Sequence, residues 1–211
     1  MVFAVFMLIV CLDLEGVLMP EIWEAVAESF GIPELRRTTR DEPDYGKLMR
    51  YRLDILDERG ITIDDIQKII GEMEPLVGGK SFLDWLRVNW QVLILSDTFY
   101  GFGKPLMAML DMPTLFCHDL IIDEDSRMIT GWKIRMEDQK RETVQRLREM
   151  NFKTLAVGDS YNDTNMLKEA HFGILLNPPQ NVTEEFPDFP VCTNYDDLKR
   201  LISEAALTLG E

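Results

Sequence analysis

Residues 3–17 read Phe-Ala-Val-Phe-Met-Leu-Ile-Val-Cys-Leu-Asp-Leu-Glu-Gly-Val, an unbroken apolar run that stops abruptly at Asp13. A run that does not alternate with polar residues suits a strand covered on both faces, which is the habit of parallel sheets. The same kind of ending recurs: Val92 to Leu95 stops at Ser96, and Leu155 to Val157 stops at Gly158-Asp159, with further short runs from Phe172 to Leu176 and around Val191. Segments with helical spacing separate these runs, such as Phe82, Trp85 and Leu86; Val144 and Leu147; and Leu198, Leu201, Ile202 and Ala205. Strands alternating with helices predict an α/β domain built on a Rossmann-like, doubly wound parallel sheet.

The interval between the first two runs is too long for one crossover helix. Ile22, Trp23, Val26, Ala27 and Phe30 form one apolar stripe, Leu48, Leu53, Ile55 and Leu56 a second, and Ile66, Ile69, Ile70 and Met73 a third, before Pro75, Gly78 and Gly79 break the pattern. This spacing predicts a small helical cap over residues 19–77, inserted after the first strand, with residues 1–18 and 78–211 forming the core. A second excursion over residues 117–135 reads as a hairpin, with Leu120 to Ile122 and Met128 to Ile134 flanking Asp123-Glu124-Asp125-Ser126.

The chain has 211 residues, 46% hydrophobic, with 37 acids against 22 bases and a formal net charge of −15. A surface this negative repels phosphate backbones and anionic membranes, and no basic patch offsets it, so nucleic-acid and membrane partners are not expected. Cys11, Cys117 and Cys192 share no metal-type spacing and sit in apolar stretches, which reads as buried thiols in a reducing, cytoplasmic setting. The opening run lacks a basic flank and a small-residue cleavage site and is too short to span a bilayer. Oligomeric state is not legible, with a homodimer among the options.

Reactive groups in open α/β sheets collect at the carboxyl ends of the strands. Just past three of the expected strands stand Asp13-Leu14-Glu15, Ser96-Asp97-Thr98 and Gly158-Asp159-Ser160-Tyr161-Asn162-Asp163. Asp13, Glu15, Asp159 and Asp163 on one rim repel each other unless a hard cation is bound, and Mg²⁺ suits a few carboxylate oxygens plus a phosphate. Ser96 offers a hydroxyl and, if a helix starts there, backbone amides for an anion. In Asp138-Gln139-Lys140-Arg141, Lys140 can supply a point charge to a phosphoryl group, with Arg141 as the competing cation.

Taken in order, Asp13-Leu14-Glu15-Gly16-Val17, Ser96, Lys140 and Gly158-Asp159-Ser160-Tyr161-Asn162-Asp163 resemble the four motifs of the haloacid dehalogenase superfamily, and the insert falls where that superfamily carries a type 1 cap. Glu21, Arg52 within Met49-Arg50-Tyr51-Arg52-Leu53, and Leu95-Ser96-Asp97-Thr98-Phe99 resemble the phosphoserine phosphatases, in particular the bacterial branch that also acts as a homoserine kinase. That likeness extends to Arg37-Thr38-Thr39-Arg40-Asp41 and to Pro187 to Pro190.

The resemblance implies a small-molecule substrate, L-phosphoserine, with homoserine as an alternative acceptor. It implies Asp13 as nucleophile, Glu15 as acid/base, Ser96 and Lys140 on the phosphoryl oxygens with Asn162 helping, and Glu21 and Arg52 on the substrate ammonium and carboxylate. Tyr45, Asp97 and Thr98 complete the implied substrate set, and Mg²⁺ is implied on Asp13, Glu15 (through its carbonyl), Asp159 and Asp163. Most phosphatases of the superfamily have Asp where Glu15 stands, and ordinary phosphoserine phosphatases have Gly where Asp97 and Ser160 stand. The bifunctional branch shares all three departures.

Other readings carry less. Gly79-Lys80-Ser81 lacks the Gly of a P-loop, since Glu74 stands at that place, and it follows an expected helix rather than a strand. His118 and His171 are isolated in sequence and read as structural. A signalling receiver domain shares the acids, hydroxyl and lysine but lacks a cap and a Glu15 equivalent. A dehalogenase needs neither Glu15 nor Mg²⁺.

Overall fold

The computed structural model describes residues 7–38, 41–42 and 44–210. Its strands are β1 (Leu8–Leu12), β2 (Gln91–Phe99), β3 (Leu115–Ile122), β4 (Ile129–Lys133), β5 (Lys153–Gly158), β6 (Phe172–Leu176) and β7 (Val191–Cys192). They form one sheet in the order β4-β3-β2-β1-β5-β6-β7, parallel throughout except for β4, which runs antiparallel to β3. The apolar run that opens the chain therefore supplies the central strand from Leu8 onward; its beginning at Phe3, and Thr39 and Arg40 of the later motif, lie outside the described residues.

Two-sided burial explains why β1 shows no polar alternation. Leu8, Val10 and Leu12 enter the larger core cluster, with Phe82, Phe102 and Ile202, while Cys11 enters the smaller one with Val144, Met166 and Leu175. Helices α4 (Gly79–Asn89), α5 (Tyr100–Met109) and α9 (Tyr195–Leu209) contribute to the first layer; α6 (Gln139–Glu149), α7 (Thr164–Glu169) and α8 (Gln180–Glu185) contribute to the second. All three cysteines are buried and free, and burial alone pushes the Cys11 thiol up to about 12.

Three helices separate β1 from β2: α1 (Ile22–Phe30), α2 (Tyr45–Glu58) and α3 (Ile63–Glu72). Local chemistry sets two of their starts. Asp44 accepts the Lys47 N–H at 3.0 Å, and Thr62 and Asp65 form a reciprocal capping box at the head of α3. The insertion is seated on α5, where Gln67 donates to the Gly101 carbonyl at 2.7 Å and the Trp23 ring meets Phe102 edge-on at 5.6 Å.

One expectation is borne out and one needs correction. The hairpin expected over 117–135 is present, β3 and β4 pairing antiparallel, but it is part of the main sheet, because the first half of Leu115–Ile122 also pairs with β2. Its turn is closed by Asp123, which accepts from the Ser126 N–H at 2.8 Å. Ser96-Asp97-Thr98 does not follow the second strand or open a helix. β2 continues to Phe99, with its pairing to β3 broken between Leu95 and Phe99, and α5 starts only at Tyr100. Among the described residues, no helix is long and apolar enough to cross a membrane.

Candidate active site

Asp13 follows β1 directly, its N–H donating to the Val157 carbonyl at 3.0 Å, so the strand pairing continues one residue into the loop. The chain then turns through Gly16, whose φ of +74° is left-handed, and the Gly16 N–H closes on Met19 at 2.8 Å. A Cβ at Gly16 would lie 2.3 Å from the Asp159 carboxyl carbon, so only glycine lets this backbone pass so close to the acid. The turn brings Glu15 back to the head of α1, where its Oε2 accepts the Ile22 N–H at 2.9 Å.

At the end of β5, Gly158 serves the second acid in the same way, since a Cβ there would sit 2.3 Å from the Asp163 Cβ. Asp163 is wholly buried; its Oδ2 accepts from the backbone of Asp159 and Ser160 at 3.0 and 3.1 Å, and its Oδ1 accepts from Lys140 Nζ at 2.7 Å. Carboxylate oxygens of Asp13, Asp159 and Asp163 all lie within 4.8 Å of one another. This donor set fits a hard divalent cation, because it is all oxygen and because the two glycines hold the backbone against it.

Lys140 and Arg141 point in different directions. Asp138, at a left-handed φ of 46°, starts α6 so that Gln139 and Lys140 face inward. Lys140 is 3% exposed, with Nζ 3.0 Å from Asp13 and 3.8 Å from Asp97, whereas Arg141 lies outside and pairs with Asp138 at 2.6 Å and with Glu142.

Ser96 and Thr98 are buried, and the Ser96 hydroxyl accepts the Thr98 N–H at 3.3 Å, so that amide is already engaged. Between them Asp97 is held from three sides. Its Oδ1 accepts from Gln139 at 3.2 Å and lies 3.7 Å from His118 Nε2, and its Oδ2 accepts from Asn162 at 3.3 Å. The Tyr45 hydroxyl donates to the Asp97 carbonyl at 3.3 Å, tying α2 to this strand end.

Asp13, Glu15, Glu21, Tyr45, Arg52, Ser96, Asp97, Thr98, Lys140 and Asn162 line a single cavity of about 320 Å³, bounded by the helical insertion on one side and the strand ends on the other. Asp159 and Asp163, the remaining residues expected from sequence, stand beneath it in the acid cluster.

Charge in this cavity is finely balanced. Burial, reinforced by Asp163, raises the Asp13 carboxyl well above its ordinary range although Lys140 opposes the shift. Burial and Glu21 push Glu15 up to about 8, and burial and Asp163 push Asp159 up to about 7. Burial works against the Lys140 charge, yet Asp13, Asp163 and Asp97 outweigh it and hold the ammonium well above its usual range. The same balance acts on Asp97: burial opposes its charge, but Lys140, Gln139 and His118 keep it below the carboxylate range. Burial lowers Arg52 to about 10.

Sequence reasoning missed three contributors. Gln139 donates to the Ser96 carbonyl at 2.6 Å as well as to Asp97, and its position beside Lys140 was the available signal. His118, read as structural, is buried between Tyr45 and Phe99 and faces Asp97. Trp23, read as one residue of an apolar stripe, lines the cavity.

A buried carboxylate beside a buried lysine, over an acid cluster at the ends of a parallel sheet, suits the class of metal-assisted phosphoryl hydrolases. A family model of haloacid dehalogenase-like hydrolases matches residues 7–171, and the chain belongs to that family. It is 54% identical over 198 residues to the phosphoserine phosphatase ThrH of Pseudomonas aeruginosa, spanning 94% of this chain and 96% of the relative. A phosphoserine phosphatase of Pseudomonas syringae pv. tomato is 52% identical over 198 residues, spanning 94% and 83%. Among solved structures, a substrate-bound phosphoserine phosphatase complex superposes with a TM-score of 0.73 at 18% identity, over 96% of this chain and 99% of that one, a likeness of fold.

Proposed function

We propose that the chain hydrolyses L-phosphoserine to L-serine and inorganic phosphate through an aspartyl phosphate on Asp13, with Mg²⁺ as cofactor, and that homoserine can replace water as the acceptor. The observation that carries this reading is one cavity in which the Asp13 carboxylate stands 3.0 Å from the buried Lys140 ammonium and whose lining also includes Glu21 and Arg52. An amino-acid phosphomonoester needs those features together: a nucleophile and a cation for the phosphoryl group, and an anion and a cation for its ammonium and carboxylate. The names of the two Pseudomonas relatives support the same substrate.

In the first half-reaction an Asp13 oxygen attacks phosphorus and the bond from phosphorus to the serine oxygen breaks. Glu15, whose raised pKa of about 8 keeps it protonated at neutral pH, gives its proton to that departing oxygen. In the second, Glu15 takes a proton from water as the water oxygen attacks the aspartyl phosphate, releasing phosphate and restoring Asp13. With homoserine in place of water, the same steps yield phosphohomoserine.

Lys140, Ser96 and Asn162 hold the equatorial phosphoryl oxygens, and Tyr45, Asp97 and Thr98 shape the wall around them. Asp13, Asp159 and the Glu15 carbonyl would hold Mg²⁺, with Asp163 behind them as the partner of Lys140; when bound, the cation neutralises the negative charge that nucleophile and phosphate bring together. Residues 19–77 act as a cap over a core of residues 1–18 and 78–211, admitting substrate and then excluding water. The acidic, cysteine-containing chain acts in the cytoplasm.

The test is phosphate release from L-phosphoserine with and without Mg²⁺, repeated with homoserine present. Mg²⁺-dependent release, with phosphohomoserine formed in the last case, is the expected result. Turnover of other small phosphomonoesters but not of phosphoserine overturns the substrate and leaves the reaction class standing.

A further inference from the structure

Arg52 is 7% exposed, yet its Nε is buried without a hydrogen-bond partner among the described residues. A buried donor left unmade is costly, and on a cavity wall it suits an acceptor brought by a ligand. The rest of the guanidinium is already fixed. Nη2 donates to the Arg37 carbonyl at 2.6 Å, and the group lies over the Trp23 ring with Cζ 4.4 Å from its centroid. Stacking on a ring face sets the plane of the guanidinium, and the Arg37 carbonyl sets its rotation within that plane. Trp23 is itself held from the core, its ring meeting Phe102 of α5 edge-on at an interplanar angle of 79°. Trp23 and Arg52 both line the cavity above Asp13.

We infer that Trp23 is a positioning residue that sets substrate selectivity: its ring, braced by Phe102, presents Arg52 preorganised for a carboxylate on the substrate. The inference rests on the phosphoserine reading. An arginine on a flexible stem would lose its rotamer freedom at every binding event, whereas here that freedom was lost on folding. Because Trp23 belongs to α1 and Phe102 to α5, the brace exists only while the insertion is seated on the core.

The experiment compares kcat/KM for L-phosphoserine with that for O-phosphoethanolamine, which has the same phosphate and ammonium but no carboxylate. Wild type is expected to prefer phosphoserine, and Trp23→Leu to reduce that preference about threefold to thirtyfold, mainly through the KM for phosphoserine. Trp23→Phe, which keeps an aromatic face, restores most of the preference and also serves if the leucine variant folds poorly. In an Arg52→Ala background, Trp23→Leu is expected to add no further loss of preference, because its effect runs through the missing guanidinium.

Three results overturn the inference. The leucine variant keeps the wild-type preference; it lowers both substrates in proportion, as general loosening does; or its effect adds fully to that of Arg52→Ala. A wild-type enzyme that turns over both compounds without preference instead refutes the phosphoserine reading, and the inference falls with it.

Discussion

Lys140→Met replaces a buried ammonium with a side chain of similar reach and no charge. In the folded chain Nζ lies 2.7 Å from Asp163, 3.0 Å from Asp13 and 3.8 Å from Asp97, with 3% of the lysine side chain exposed. At an effective dielectric of about 20, each of the two shorter contacts is worth roughly 5–6 kcal/mol before desolvation. Most of that offsets the cost of burying the charges, and removing one partner of such a group leaves a net loss of about 3–5 kcal/mol. The loss depends on pH in a definite direction. Carboxyls left without their cation take up protons more readily in the folded state than in the unfolded one, so the variant regains stability as the pH falls and loses it as the pH rises. Urea melts in the presence of a chelator should therefore show a deficit of about 3–5 kcal/mol at pH 8 and a smaller one at pH 5. Saturating Mg²⁺ should narrow the deficit at pH 8, because it binds the folded carboxylates and not the unfolded chain. A variant as stable as wild type at pH 8 without metal, or a deficit equal at both pH values, refutes the view that Lys140 neutralises this cluster.

The same logic applies to the unaltered protein freed of metal. Asp159 and Glu15 are raised to about 7 and 8, so the stability they contribute is fully present below their unfolded values near 4 and is lost as the pH rises through 7 to 8; chemical melts in chelator should give a lower midpoint at pH 8 than at pH 5, and a midpoint that climbs instead contradicts the assignment. Asp13→Asn should cut phosphate release by about a thousandfold or more, measured as steady-state turnover of phosphoserine. Glu15→Gln should lower kcat by about 100 to 10,000-fold, and wild-type turnover should decline above about pH 8 as the acid loses its proton. Gly158→Ala places a methyl 2.3 Å from the Asp163 Cβ, in a side chain fixed by Lys140 and two backbone amides, and thermal melts should register a loss of about 1–3 kcal/mol.

Much of the architecture could be read from local pattern. The central position of β1 follows from ten apolar residues without alternation, since only a strand covered on both faces tolerates them. The helical insertion was legible because two of its three stripes, such as Ile66, Ile69 and Ile70, repeat at helical spacing and breakers close the interval, although Leu48, Leu53, Ile55 and Leu56 form a less regular one. The extent of β2 was not. Ser96-Asp97-Thr98 looks like the end of a strand because the apolar run stops there, but backbone pairing does not require apolar side chains, and the chain stays extended to Phe99 across an irregular stretch of pairing with β3. His118 illustrates a different limit. Nothing near it in sequence marks it as part of the site, because its partner Asp97 arrives from the neighbouring strand.

The sequence by itself determined which side chains the chain offers: Asp13 and Glu15 after the first strand, Lys140, and the Asp159 to Asp163 loop stand in an order that, with the helical insertion, resembles the haloacid dehalogenase motifs. Tertiary structure decided how those groups share charge. Lys140 rather than Arg141 faces the cavity, α6 opening on a left-handed Asp138 with Gln139 and Lys140 buried. Asp163 is the lysine's closest carboxylate because Gly158 leaves room for it. The orientation of Arg52 rests on Trp23 and on the Arg37 carbonyl, both distant from it in sequence. The physical reason is range. Residue type and spacing act along the chain and can be read there, whereas desolvation, ion pairing and ring stacking depend on which segments fold against each other.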